Sequence, residues 1–114
     1  MGFPVWRALG NTAETNLEGF RYIYTKDKTA VFVDARNPEE FKAMSVPGAV
    51  NIQKGWKGNL RPIITETRSA NRVIVFGKDA EEAHIVAEEL AKRAVMNGSF
   101  FGGTFEELRR AALW

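Results

Sequence analysis

Residues 73–84 read VIVFGKDAEEAH: a short apolar run, one glycine, then an acidic stretch that opens a helical pattern. In α/β proteins such a strand-to-helix junction is where a nucleophile or a phosphate-binding loop usually sits. This junction has no Cys, Ser or Thr, and the whole chain has no cysteine. Disulfides, thiolate metal ligation and thiol nucleophiles are therefore excluded. A Walker loop is excluded too, because Arg72 stands where its first glycine is needed and Asp79 where it needs Ser or Thr. Gly102-Gly103 lacks the third glycine of a dinucleotide fingerprint. His84 has no second His, no Cys and no Ser–carboxylate partner in view, so it reads as a half-exposed helix residue.

The elements that must position this junction follow from periodicity. Residues 1–14 carry Phe3, Pro4, Val5 and Trp6 and read as an arm that docks its aromatics. Over Asn16 to Thr25, Leu17, Phe20, Ile23 and Tyr24 share one helical face, and Lys26 supplies a cation at its end. Ala30–Asp34 is a short apolar run of the kind that forms a strand buried on both faces. Asn37-Pro38-Glu39-Glu40 is a helix start, with Asn as cap, Pro in the first turn and acids beside the helix dipole. Pro47-Gly48 stops that helix, and Ala49–Ile52 is a second strand candidate.

Residues 53–71 are the least regular. Arg72–Phe76 reads as a third strand. Ala80–Arg93 is the strongest helix, with Ala83, Val86, Ala87, Leu90 and Ala94 as its apolar stripe and charges matched to its dipole. Ser99–Phe101 reads as a last strand, Gly102-Gly103 as a tight turn and Thr104 as the cap of a closing helix. Alternating strands and helices predict an α/β fold with a mostly parallel central sheet of four or five strands, covered on both faces.

The bulk properties agree. A chain of 114 residues, 45% hydrophobic and 26% charged, is the size and balance of one globular domain. Its formal charge of +2, from 16 basic and 14 acidic side chains, is too small and mixed to point to nucleic acid. No apolar run approaches the roughly 20 residues that cross a bilayer. Nothing calls for a cofactor or a metal. A cysteine-free soluble chain suits the cytoplasm and the periplasm alike.

Three stretches in fixed order, VFVDARNPEEF (31–41), VPGAVNI (46–52) and VIVFGKDAEEAHIVAEEL (73–90), followed by FFGGTFEEL (100–108), resemble a rhodanese domain. Asp34 and Arg36, Glu40 and Phe41, Pro47-Gly48-Ala49, Asn51-Ile52 and Gly102-Gly103 fall on positions that match the family pattern. The resemblance covers about residues 17–110, within a single domain over 1–114 with residues 1–14 as its arm. It also places Ser45 where the family has a histidine, and Gly77 where it has the persulfide-forming cysteine.

The resemblance implies a vestigial active-site loop made of Gly77, Lys78, Asp79, Ala80, Glu81, Glu82 and Ala83. A working loop of this family offers backbone N–H groups at a helix start to an anionic sulfur species. The helix terminus favours an anion by roughly 0.3–1 kcal/mol, up to ~2 when partly buried. Each carboxylate ~7 Å away opposes it by roughly 0.6–2.4 kcal/mol. Three carboxylates against Lys78 therefore make the loop hostile to anions.

Plainer readings stand beside these. Gly77 serves a tight turn with positive φ. The acids at 79, 81 and 82 are a solvated helix start, and Lys78 is a solvent cation. Asp34 and the rest of the structural motif (Arg36, Glu40, Pro47, Gly48) tie neighbouring loops, with Arg36 pairing to Glu39 or Glu40.

Lys54, Trp56, Lys57 and Arg61 form a candidate partner surface, since Trp and Arg are enriched where proteins dock. An equally simple reading buries Trp56 under its own loop. The resemblance implies a catalytically silent member that acts by binding a protein partner. The alternatives are a sulfurtransferase-related activity that uses a partner's thiol, and small-anion sensing at the 77–83 loop.

Overall fold

The computed structural model describes residues 6–10, 12–27, 30–55, 73–93 and 98–111. In chain order the described elements are β1 (Trp6–Leu9), β2 (Thr12–Thr15), α1 (Leu17–Lys26), β3 (Val31–Asp34), α2 (Pro38–Ala43) and β4 (Val50–Asn51). They continue with β5 (Val73–Phe76), α3 (Ala80–Lys92), β6 (Gly98–Phe101) and α4 (Phe105–Arg110).

The strands form one six-stranded sheet in the order β1-β2-β6-β5-β3-β4. All neighbours are parallel except β1 and β2. The sheet is larger than the four or five strands expected, because Trp6–Leu9 and Thr12–Thr15 are strands where the sequence suggested a docking arm. Trp6 is 37% exposed. Its neighbours Phe3, Pro4 and Val5 lie outside the described residues. The short polar stretch TAET gives no apolar run by which to recognise β2.

Every residue of β3 and of β5 is buried, and the side chains alternate between the two faces as the pleat requires. Val31, Val33, Val73, Val75 and Phe100 pack against Ala83, Val86, Ala87 and Leu90 of α3. On the other face, Phe32, Ile74, Phe76 and Phe101 meet Phe20 and Ile23 of α1 and Phe105 and Leu108 of α4. Phe20 sits at the centre of this aromatic layer, its ring 5.3–5.9 Å from those of Phe32, Phe101 and Phe76.

The helix starts are capped as their sequences require. Asn16, Asn37 and Asp79 each accept a hydrogen bond from a backbone N–H three residues on. Thr104 and Glu107 form a reciprocal capping box. Further along α4, Arg109 donates to Glu106 and holds that surface carboxyl below its usual range.

The Pro47-Gly48 stop is a reverse turn. Ala49 N–H donates to the Val46 carbonyl at 3.0 Å, and Gly48 has φ 84°. Proline followed by a left-handed glycine is the pattern of a type II turn. The turn at Gly102-Gly103 needs glycine for space instead. A Cβ on Gly103 would lie 2.6 Å from the Phe101 ring.

Phe20→Ala should lower the unfolding free energy by about 3–5 kcal/mol in a denaturant titration. A change within about 0.5 kcal/mol, as for an ordinary surface substitution, would contradict this account of the aromatic layer.

Candidate functional site

The connections reverse direction between β3 and β5. The step from β3 through α2 to β4 runs to one side, and that from β5 through α3 to β6 runs to the other. Open parallel sheets bind ligands beyond the carboxyl ends of the strands at such a switch point. Here those ends carry Asp34-Ala35-Arg36 and Gly77-Lys78.

Asp34 is fully buried and Arg36 nearly so. The guanidinium donates to both carboxylate oxygens: Nε to Oδ1 at 3.1 Å and Nη2 to Oδ2 at 2.9 Å. The Arg36 backbone N–H adds a bond to Oδ1 at 2.9 Å, and the Ser45 hydroxyl one to Oδ2 at 2.8 Å. Arg36 Nη2 also donates to the Met44 carbonyl and, at 3.5 Å, to that of Glu40. The guanidinium carbon lies 3.5 Å from the centre of the Phe105 ring, a stacked cation–π contact.

The expected partners of Arg36, the Glu39 and Glu40 carboxylates, are therefore not its partners. Those side chains point to solvent on an exposed turn of α2, and Glu40 contributes only its backbone. The nearer, buried Asp34 wins because its charge would otherwise be left without compensation. Asn51 completes the unit, its side-chain amide donating to the Asp34 carbonyl at 3.0 Å and the Arg36 carbonyl at 2.7 Å.

The loop after β5 is closed by its own acids. Asp79 accepts from Glu82 N–H at 2.9 Å, and Glu82 reaches back so that Oε1 accepts from Lys78 N–H at 2.9 Å. This is a capping box displaced by one residue. Gly77 does not have positive φ, contrary to expectation; among the described glycines only Gly10, Gly48 and Gly55 do. Its side of the loop is crowded instead. A Cβ there would lie 2.9 Å from Glu82 Oε1 and 3.2 Å from Glu82 Cβ and Cγ. Ala80 begins α3 and Ala83 is buried beneath the loop, while Lys78 and Glu81 are exposed.

Lys54 joins this loop. With Lys78, Asp79, Glu81, Glu82 and Ile85 it lines a shallow cleft of about 140 Å³. The adjoining Gly55 N–H is held by Glu89 of α3 at 2.8 Å. Trp56, Lys57 and Arg61 of the candidate partner surface lie outside the described residues. Away from the loop, His84 stacks on Phe100 with ring centres 4.4 Å apart. Its Nε2 is 3.6 Å from Glu88. Among the described residues no cluster of His, Cys, Asp and Glu has the makings of a metal site.

Sequence reading missed three contributors. Ser45 looked like a mere replacement in a turn, and Phe105 was not singled out. Glu82 looked like a solvated helix acid. Its spacing of three from Asp79 was the available sign that it would fold back.

The family model described as the rhodanese-like domain matches residues 22–107, so the chain belongs to the rhodanese-like family. Comparison with curated proteins finds no match. Among solved structures, the chain is similar to a protein of unknown function from Rhodopseudomonas palustris CGA009 that is described as a possible tyrosine phosphatase. The TM-score is 0.66 at 17% identity, over 83% of this chain and 76% of that one. It is also similar to EanB, in a tyrosine-to-alanine variant with ergothioneine covalently linked to a persulfidated cysteine. There the TM-score is 0.57 at 14% identity, over 81% of this chain and 24% of EanB. This chain thus spans about a quarter of EanB, and both likenesses concern the fold. With no cysteine in its sequence, the chain lacks the thiol of a rhodanese active site.

Arg36→Ala leaves the Asp34 charge buried and unpaired and should cost about 3–5 kcal/mol of stability. Arg36→Lys should recover only part of this, because an ammonium cannot fork to two oxygens or stack on Phe105. Urea denaturation of both variants checks the ranking, and equal losses would contradict it.

Proposed function

We propose that this chain is a catalytically silent rhodanese-like domain that works by binding, as a protein-docking or regulatory module. One observation carries the silent half of the reading: the Glu82 carboxylate occupies the space above Gly77 and accepts the Lys78 N–H. A loop that presents amides to a sulfur anion must leave them open and keep like charge away. This loop turns its first amide onto an internal carboxylate and sets Asp79 and Glu81 beside it. Nor is there a nucleophile to carry sulfur, whereas EanB is described with a persulfidated cysteine.

The binding half rests on the expected Lys54, Trp56, Lys57 and Arg61 surface, of which Lys54 lines the same cleft as the loop. Next to Lys54, the Gly55 N–H donates to Glu89 of α3. The Glu82 contact also weighs against small-anion sensing at 77–83, since a guest anion would have to displace a tethered one.

The purified chain should convert thiosulfate and cyanide to thiocyanate no faster than buffer. Gly77→Cys alone should remain inactive, because the new side chain meets Glu82 and its thiolate faces a carboxylate. Activity in Gly77→Cys that equals that of Gly77→Cys/Glu82→Ala would refute the blocking role of Glu82. Turnover by the unmodified chain would refute catalytic silence.

For docking, the Trp56→Ala/Lys57→Glu variant should lose partners recovered by the unmodified chain in a pull-down. Identical recovery would remove this surface from consideration.

A further inference from the structure

The hairpin of β1 and β2 lies outside the residues matched by the family model, and β1 forms one edge of the sheet. The two strands are attached very differently. β2 is fastened to the body: it runs parallel to β6 with Ala13 opposite Ser99 and Thr15 opposite Phe101. Its Thr12 and Thr15 are buried. Gly102 N–H donates to the Thr15 carbonyl at 2.8 Å, and the Thr12 hydroxyl donates to Glu88 of α3 at 2.7 Å. Among the described residues β1 pairs along the sheet with β2 alone, in the register Trp6–Thr15, Arg7–Glu14, Ala8–Ala13 and Leu9–Thr12. Trp6, Arg7 and Ala8 are exposed, and the Arg7–Glu14 ion pair leaves the arginine 67% exposed.

Segments with few buried apolar contacts open at the lowest free energy, and three of the four β1 residues, Trp6, Arg7 and Ala8, are exposed. Its departure uncovers the backbone donors and acceptors of β2, a template for another strand. Gly10, which follows β1 with φ 68°, is suited to a hinge, because glycine takes left-handed and extended conformations at similar cost.

We propose that the β2 edge is a strand-exchange surface for a second copy of this chain, whose β1 replaces the chain's own to give a two-fold dimer. The occupant follows from the register: β1 already places a cation across from Glu14 and a small residue across from Ala13. An exchanged strand repeats contacts the single chain makes, so the dimer requires no new complementary surface.

The absence of native cysteine makes the test clean. Full-length Arg7→Cys and Glu14→Cys chains are mixed, unfolded and refolded together, then oxidised mildly and resolved on a non-reducing gel. Exchange sets residue 7 of one chain opposite residue 14 of the other. The mixed disulfide should then form about tenfold or more faster than in a mixture of Arg7→Cys with Glu106→Cys, because a held pair reacts at its effective concentration. A rate equal to that control overturns the proposal. So does self-pairing of Arg7→Cys that outpaces the mixed product, since it marks edge-to-edge contact of two β1 strands.

Discussion

A carboxylate with no access to water organises the functional end of this fold. Asp34 lies at the end of a central strand, and its charge is tolerable only because donors surround it. Those donors come from the residue two places on and from the segment after α2, while Phe105 of α4 packs over the guanidinium. One buried charge therefore dictates how β3, the loop before β4 and the closing helix sit together. Arg36 is the residue that makes this possible, since its planar fork serves two oxygens and its face serves an aromatic ring.

Beside that rigid unit stands a loop whose chemistry has been turned inward. Its backbone donors serve its own side chains. Asp79 and Glu82 stabilise the start of α3 as capping residues do. The same two hydrogen bonds engage the backbone N–H groups of Lys78 and Glu82. Stability of the helix and closure of the loop are thus one arrangement.

Much of this was legible in the sequence. The strands at 31–34 and 73–76, the Asn37 cap, the Pro47-Gly48 turn and the Thr104 cap each rest on local chemistry that tertiary packing does not override. The hairpin was not legible: TAET has neither β-branched continuity nor an apolar face, and its strand character comes from pairing with β6. The pairing of Arg36 was misjudged because carboxylates three and four residues away are good partners on an open helix, whereas burial settles the choice here. Gly77 was misread for a similar reason: the crowding comes from Glu82, five positions on, whose only local sign was its spacing of three from Asp79.

The two kinds of glycine turn have unequal consequences for change over time. At Gly48 a Cβ would meet nothing within 4 Å, and only the backbone angle resists replacement. At Gly103 the obstacle is the ring of Phe101, itself packed on Phe20. A surface-facing turn there is wired to the centre of the aromatic layer. Drift at the first turn stays local, while drift at the second is felt by the whole interior, so an outer loop inherits the intolerance of a core position.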